Sequence, residues 1–69
     1  MIAVGDVVLL SYDPGSECVY LLLGRVEHDG KQARWECLVL HREDDRWPMG
    51  RPGHVVWPTE YNLLQGEKL

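Results

Sequence analysis

The sequence predicts an all-β domain of five short strands curled into a small barrel, and three observations carry that expectation. The stretch from Val19 to Leu40 is two apolar runs joined at Asp29-Gly30, the dipeptide that most strongly favours a tight hairpin turn. The other apolar runs are short, rich in β-branched residues and closed off by Gly, Pro or Asp, which leaves no room for a helix. A sheet this small exposes both edges if it stays open, and curling it into a barrel removes them.

At 69 residues the chain makes one domain, spanning 1–69. A domain of that size buries only about 60% of its unfolded surface, so its core is marginal. Its 45% hydrophobic and 26% charged composition is that of a globular protein rather than a disordered one.

The first strand is expected over residues 6–12, where Val7-Val8-Leu9-Leu10 lies between Gly5-Asp6 and the Asp13-Pro14-Gly15-Ser16 turn. The hairpin follows. With Asp29 and Gly30 at the centre of a two-residue turn, Val26 faces Ala33, Arg25 faces Arg34 and Gly24 faces Trp35. Towards the base, Leu22 faces Cys37, Leu21 faces Leu38, Tyr20 faces Val39, Val19 faces Leu40 and Cys18 faces His41. Alternation then sets Tyr20, Leu22, Gly24, Val26, Ala33, Trp35, Cys37 and Val39 on a core face. It sends Val19, Leu21, Leu38 and Leu40 to the other side. Arg25 and Arg34 would repel across the pair, with Glu27 and Glu36 diagonally placed to offset them.

Residues of about 42–53 fit no period and read as one long loop, with Trp47 and Met49 near its middle. His54–Trp57 is a fourth strand, Pro58–Tyr61 a single 3₁₀ turn, Asn62–Gln65 a short last strand, and Gly66–Leu69 a fraying end.

Three of these stretches resemble a known family. Val4-Gly5-Asp6-Val7-Val8, Gly24-Arg25-Val26 and the ending Val56-Trp57-Pro58-Thr59-Glu60-Tyr61-Asn62-Leu63-Leu64 look like the small SH3-like barrels encoded by bacteriophages and mobile elements. Such barrels often open V-G-D-x-V and close W-x-P, an acidic residue and a leucine-rich strand. Here Pro58 follows Trp57 directly, without the intervening residue. Wider SH3-like relatives include Tudor and translation-associated barrels, which bind peptides or RNA. The resemblance therefore implies a binding or assembly role rather than chemistry.

The residues point the same way. Cys18 and His41 are the one thiol–imidazole pair the hairpin register brings together, but no third group is placed to orient them. Cys18, Cys37 and His41 lack structural-zinc spacing, and Glu43-Asp44-Asp45 lacks the alternating oxygens of a calcium loop. We expect no enzymatic activity, metal or cofactor. Net charge is −4, from 11 acids against 7 bases, which disfavours nucleic acid as a partner. The alternative is a nucleic-acid-associated barrel using Arg25, Arg34, Arg42, Arg46 and Arg51 around aromatics. No apolar run approaches the roughly 18 residues of a membrane span. The opening has no basic stretch before its apolar run, and two cysteines are few for a small secreted domain, so we expect a cytoplasmic protein with free thiols.

The expected contact surface is Val19, Leu21, Leu38 and Leu40, with Trp47 and Met49 above it. Covering four such side chains is worth several kcal/mol at about 25 cal/mol per Å2. Trp47 either folds back over them or is presented to a partner, and mutual cover favours folding back. Either a protein partner or a second copy would complete the surface.

Overall fold

The computed structural model describes residues 1–11, 17–27, 32–42 and 51–69. Five strands form one antiparallel sheet: β1 (Val7–Ser11), β2 (Glu17–Val26), β3 (Arg34–Arg42), β4 (Val55–Val56) and β5 (Glu67–Lys68), in the order β4-β3-β2-β1-β5. The all-β expectation is met, but the sheet is open: β4 and β5 lie at opposite edges. Each is two residues long, which leaves little ladder with which to close a barrel.

The expected register holds in the middle of the hairpin and fails at both ends. Tyr20, Leu21 and Leu22 face Val39, Leu38 and Cys37 as the alternation requires. Towards the tip, a β-bulge at Leu23 gives β2 one extra residue, so Gly24 faces Glu36, Arg25 faces Trp35 and Val26 faces Arg34. Towards the base, a second bulge at Leu40 gives β3 the extra residue, so Val19 faces His41 and Cys18 faces Arg42. A one-residue slip exchanges the faces of everything beyond it. Arg25 therefore shares a face with Trp35, and Arg25 and Arg34 are not opposed. Asp29 and Gly30 lie outside the described residues. The neighbouring pair Val26–Arg34 is not the Val26–Ala33 pair that a two-residue turn there requires.

The chain after β4 departs most from expectation. In place of a 3₁₀ turn and a last strand over 62–65, residues Glu60–Leu64 form a short α-helix, α1. Thr59 caps it: its hydroxyl accepts the Asn62 N–H at 3.2 Å. The last strand falls on Glu67–Lys68, where a fraying end was expected, and pairs with Val8 and Leu9. Gly66 makes that approach possible. A Cβ there would stand 2.7 Å from the Leu9 carbonyl oxygen and from Leu10 Cδ2.

The core lies between the inner face of the sheet and α1. Val8, Leu10, Cys18, Tyr20, Leu22, Trp35, Cys37 and Val39 bury their side chains there, and Leu63 of α1 plugs the end at 1% exposure. The N-terminal segment closes the near side. Gly5, at φ +90°, lets the chain turn so that its N–H reaches the Leu22 carbonyl at 2.8 Å. Among the described residues no helix is long and apolar enough to cross a membrane.

Candidate interaction surface

Two regions have the makings of a site. The first is the outer face of the sheet. Val7, Leu21, Leu38 and Val55 stand opposite one another in consecutive strands and form one apolar row across four strands. Leu9 and Val19 pair in the next row. The alternation of buried and half-buried residues along β1, β2 and β3 confirms that this set points away from the core. Such a row is a consequence of sequence: each of these strands is apolar at successive positions, and a pleated strand can send only every second side chain inward.

Of the residues expected here, Val19, Leu21 and Leu38 are half-buried on this face. Leu40 is not opposite Val19. As the extra residue of the basal bulge it is unpaired and 44% exposed, with His41 in the place it was expected to fill. Trp47 and Met49 lie outside the described residues. Val7, Leu9 and Val55 belong to the face but were not expected, because the sequence does not state which strands flank the hairpin. The rim is mostly acidic. Glu36 lies beyond Leu38, Glu17 beyond Val19, and Glu67 opposite Leu9. Against them stand His41 and Arg34, whose Nη1 donates to the Trp57 carbonyl at 2.7 Å.

The second region is a groove of about 590 Å3 between the N-terminal residues Ile2–Val4 and α1, floored by Arg25, Trp35 and Glu60. The bulge at Leu23 creates it by turning Arg25 to the inner side. There Arg25 Nε donates to Glu60 Oε2 at 2.6 Å, and Trp35 Nε1 donates to the same oxygen at 3.0 Å. Arg25 Nη1 is also bonded to Glu27. The guanidinium, and secondarily the indole, hold the Glu60 carboxyl below its ordinary range. In the N-terminal segment, Asp6 accepts the Ala3 N–H at 2.8 Å and a hydrogen bond from the Lys68 ammonium at 3.2 Å. The Ala3 bond, with Lys68 adding to it, lowers its pKa. These polar groups satisfy one another and fasten the N-terminal segment, α1 and β5 to the sheet. The sequence carried a signal for this network: Leu21-Leu22-Leu23-Gly24 cannot alternate cleanly, and a glycine after an apolar run is where bulges occur.

The thiol–imidazole pair expected from the sequence is not brought together. Cys18 faces Arg42 rather than His41. Both cysteines are buried and free. Burial, with Glu36 nearby, pushes the Cys37 thiol up to about 11, which makes it a poor nucleophile. Among the described residues no group of three or more His, Cys, Asp or Glu side chains could hold a metal ion. Trp57 and Tyr61 are 51% and 61% exposed.

No protein-family model, curated protein or solved structure matches the chain.

Proposed function

We propose that the protein is a non-enzymatic interaction or assembly module of the SH3-like kind, which docks a protein partner or a second copy on the outer face of β1, β2 and β3. The observation that carries this reading is the row Val7–Leu21–Leu38–Val55, extended by Leu9 and Val19, which leaves an apolar band on the side of the sheet opposite the core. Supporting the SH3-like part are the strand order β4-β3-β2-β1-β5 and the short helix between the last two strands. The kinship with phage and mobile-element barrels rests on the sequence motifs alone. Reduced, buried cysteines suit a cytoplasmic setting.

The test is the double variant Leu21→Glu/Leu38→Glu. It should abolish assembly in sizing experiments and capture of partners from the native host, while the variant keeps the far-ultraviolet spectrum of the parent. Unchanged assembly and capture would remove the surface from consideration. Binding to mixed-sequence single-stranded DNA or RNA should be weaker than micromolar at about 150 mM salt, given a net charge of −4. Tight, salt-sensitive binding would favour a nucleic-acid-associated barrel instead.

A further inference from the structure

We infer that the occupant of the outer sheet face is a basic amphipathic helix of a partner protein, an inference that rests on the function proposed above. Two features of the face select it, its dimensions and the charge of its rim.

Adjacent strands lie about 4.8 Å apart, so the row from Val55 through Leu38 and Leu21 to Val7 is about 14 Å long. Leu9 and Val19 add a second row about 7 Å further along the strands, two residues at the strand rise. The Cα positions of the band therefore mark out a strip about 14 Å by 7 Å, longer than it is wide. Two sheets packed face to face lay whole planes together, which here would press the acidic rim of one copy against that of the other. An α-helix fits better. Some ten residues rise about 15 Å, and the apolar stripe of a helix is of the right width for two rows.

Charge decides the sign of the partner. Glu36 borders the band beside Leu38, Glu17 beside Val19 and Glu67 beside Leu9. Against these three carboxylates stand, among the described residues, the His41 imidazole opposite Val19 and one guanidinium, that of Arg34, whose Nη1 is directed to the Trp57 carbonyl. Lys68, the neighbour of Glu67, pairs with Val8 and is bonded to Asp6. Two copies placed face to face would bring both sets of carboxylates together. A helix with leucines on one stripe and lysines or arginines on its flanks would place apolar groups on the band and cations on its rim.

The probes are three synthetic helices of roughly 14 residues: a leucine/lysine peptide with helical period, the same composition with the leucines scrambled, and a leucine/glutamate counterpart. Each is titrated into the 15N-labelled full chain and followed by amide shifts. The patterned leucine/lysine peptide should bind, with shifts centred on Val7, Leu9, Leu21, Leu38 and Val55 and an affinity that falls with salt. The variant Glu36→Lys/Glu67→Lys, whose substitutions lie on the rim, should weaken that binding at least tenfold. Leu21→Glu should abolish it. Equal binding of the acidic and basic patterned helices at these residues would overturn the charge assignment and leave the interaction surface standing. Equal binding of the scrambled peptide would overturn the helix assignment. Concentration-dependent shifts at these residues without peptide would replace the partner helix by a second copy. No shifts on this face with any probe, together with unaltered behaviour of Leu21→Glu/Leu38→Glu, would overturn this inference and the proposed function together.

Discussion

Leu21 and Leu22 are neighbours in β2 with the same side chain, and the fold treats them differently. Leu22 is 0% exposed between Cys37, Trp35 and the plug of α1; Leu21 stands half-buried in the outer row beside Val7 and Leu38. The two faces of the sheet are almost equally apolar. Among the described residues, what separates them is the path of the chain after β4. It crosses to the inner side, lays down α1, and returns through Gly66 to the edge of β1. Burial here is decided by where thirteen residues after β4 travel, not by the hydrophobicity of the strands they cover.

The sharpest test of that difference is a matched pair of truncations. Leu22→Ala should cost about 2–5 kcal/mol, the range for a leucine removed from a packed core. For so small a domain that is a large part of the total stability. Leu21→Ala should cost about 1 kcal/mol or less, since its side chain is already partly in water. Urea denaturation of both reads the difference directly. Equal costs would mean that the outer row is covered as completely as the inner one, and the proposed contact surface would already be occupied by the chain itself.

The next effect tests the path rather than the faces. Gly66→Ala puts a methyl group 2.7–2.8 Å from Leu9 O, Leu10 Cδ2 and Val8 Cγ1. Two of those atoms can shift; the carbonyl oxygen of a paired strand cannot shift without disturbing the sheet. Destabilisation of about 1–3 kcal/mol is expected. It should be concentrated in the C-terminal segment: the Leu69 amide, which donates to the Val7 carbonyl at 2.8 Å, should lose its hydrogen-exchange protection before the β2–β3 amides do. Uniform loss across the sheet would show that β5 is not a separable unit.

The same contrast explains what could be read from the sequence. The central hairpin pairs, Tyr20–Val39 to Leu22–Cys37, agree with the register counted from a two-residue turn at Asp29-Gly30, whereas the pairs nearest the tip do not, and with both faces apolar the alternation there does not resist a one-residue slip. The two bulges were missed because a count from the turn carries the register straight through them; Leu21-Leu22-Leu23-Gly24 offered a cue to the bulge at Leu23, and nothing comparable marks the one at Leu40. The consequence reached the site: Arg25 was expected on the outer face opposite Arg34, and it lies on the inner side bonded to Glu60. The helix α1 was missed because Asn62-Leu63-Leu64-Gln65 is as apolar as a short strand. The threonine cap at Thr59 with Glu60 in the first turn was the signal that outweighed it. The outer row was half legible. The hairpin supplied Val19, Leu21 and Leu38, whereas Val7, Leu9 and Val55 required knowing the strand order.

The smallest expected effect separates the fastening of the inner side from its apolar contacts, and its dependence on pH has a definite sign. Glu60 and Asp6 both have pKa values lowered in the folded chain, from ordinary values of 4.5 and 3.8. A carboxylate whose folded pKa is depressed stabilises the fold above its unfolded pKa and loses that contribution as pH falls through the folded value. Stability should therefore be level above about pH 5, as far as these two groups govern it, and should decline below the two ordinary values as Glu60 and Asp6 take up protons. The decline should appear first in α1 and the N-terminal segment, because Glu60 ties α1 to Arg25 and Trp35 while Asp6 ties the N-terminal turn to Lys68. Glu60→Gln keeps the shape and an acceptor for Trp35 Nε1 but removes the charge that Arg25 needs. It should lower stability slightly at neutral pH and flatten the acid limb of the curve. Denaturation midpoints measured between pH 7 and pH 3 for the parent, Glu60→Gln and Asp6→Asn decide the matter. If the parent and Glu60→Gln fall in parallel, the Arg25–Glu60 pair contributes nothing to the fastening, and α1 is held by Leu63 and by the backbone bonds from Trp35 N–H to the Pro58 carbonyl and from Glu60 N–H to the Ala33 carbonyl.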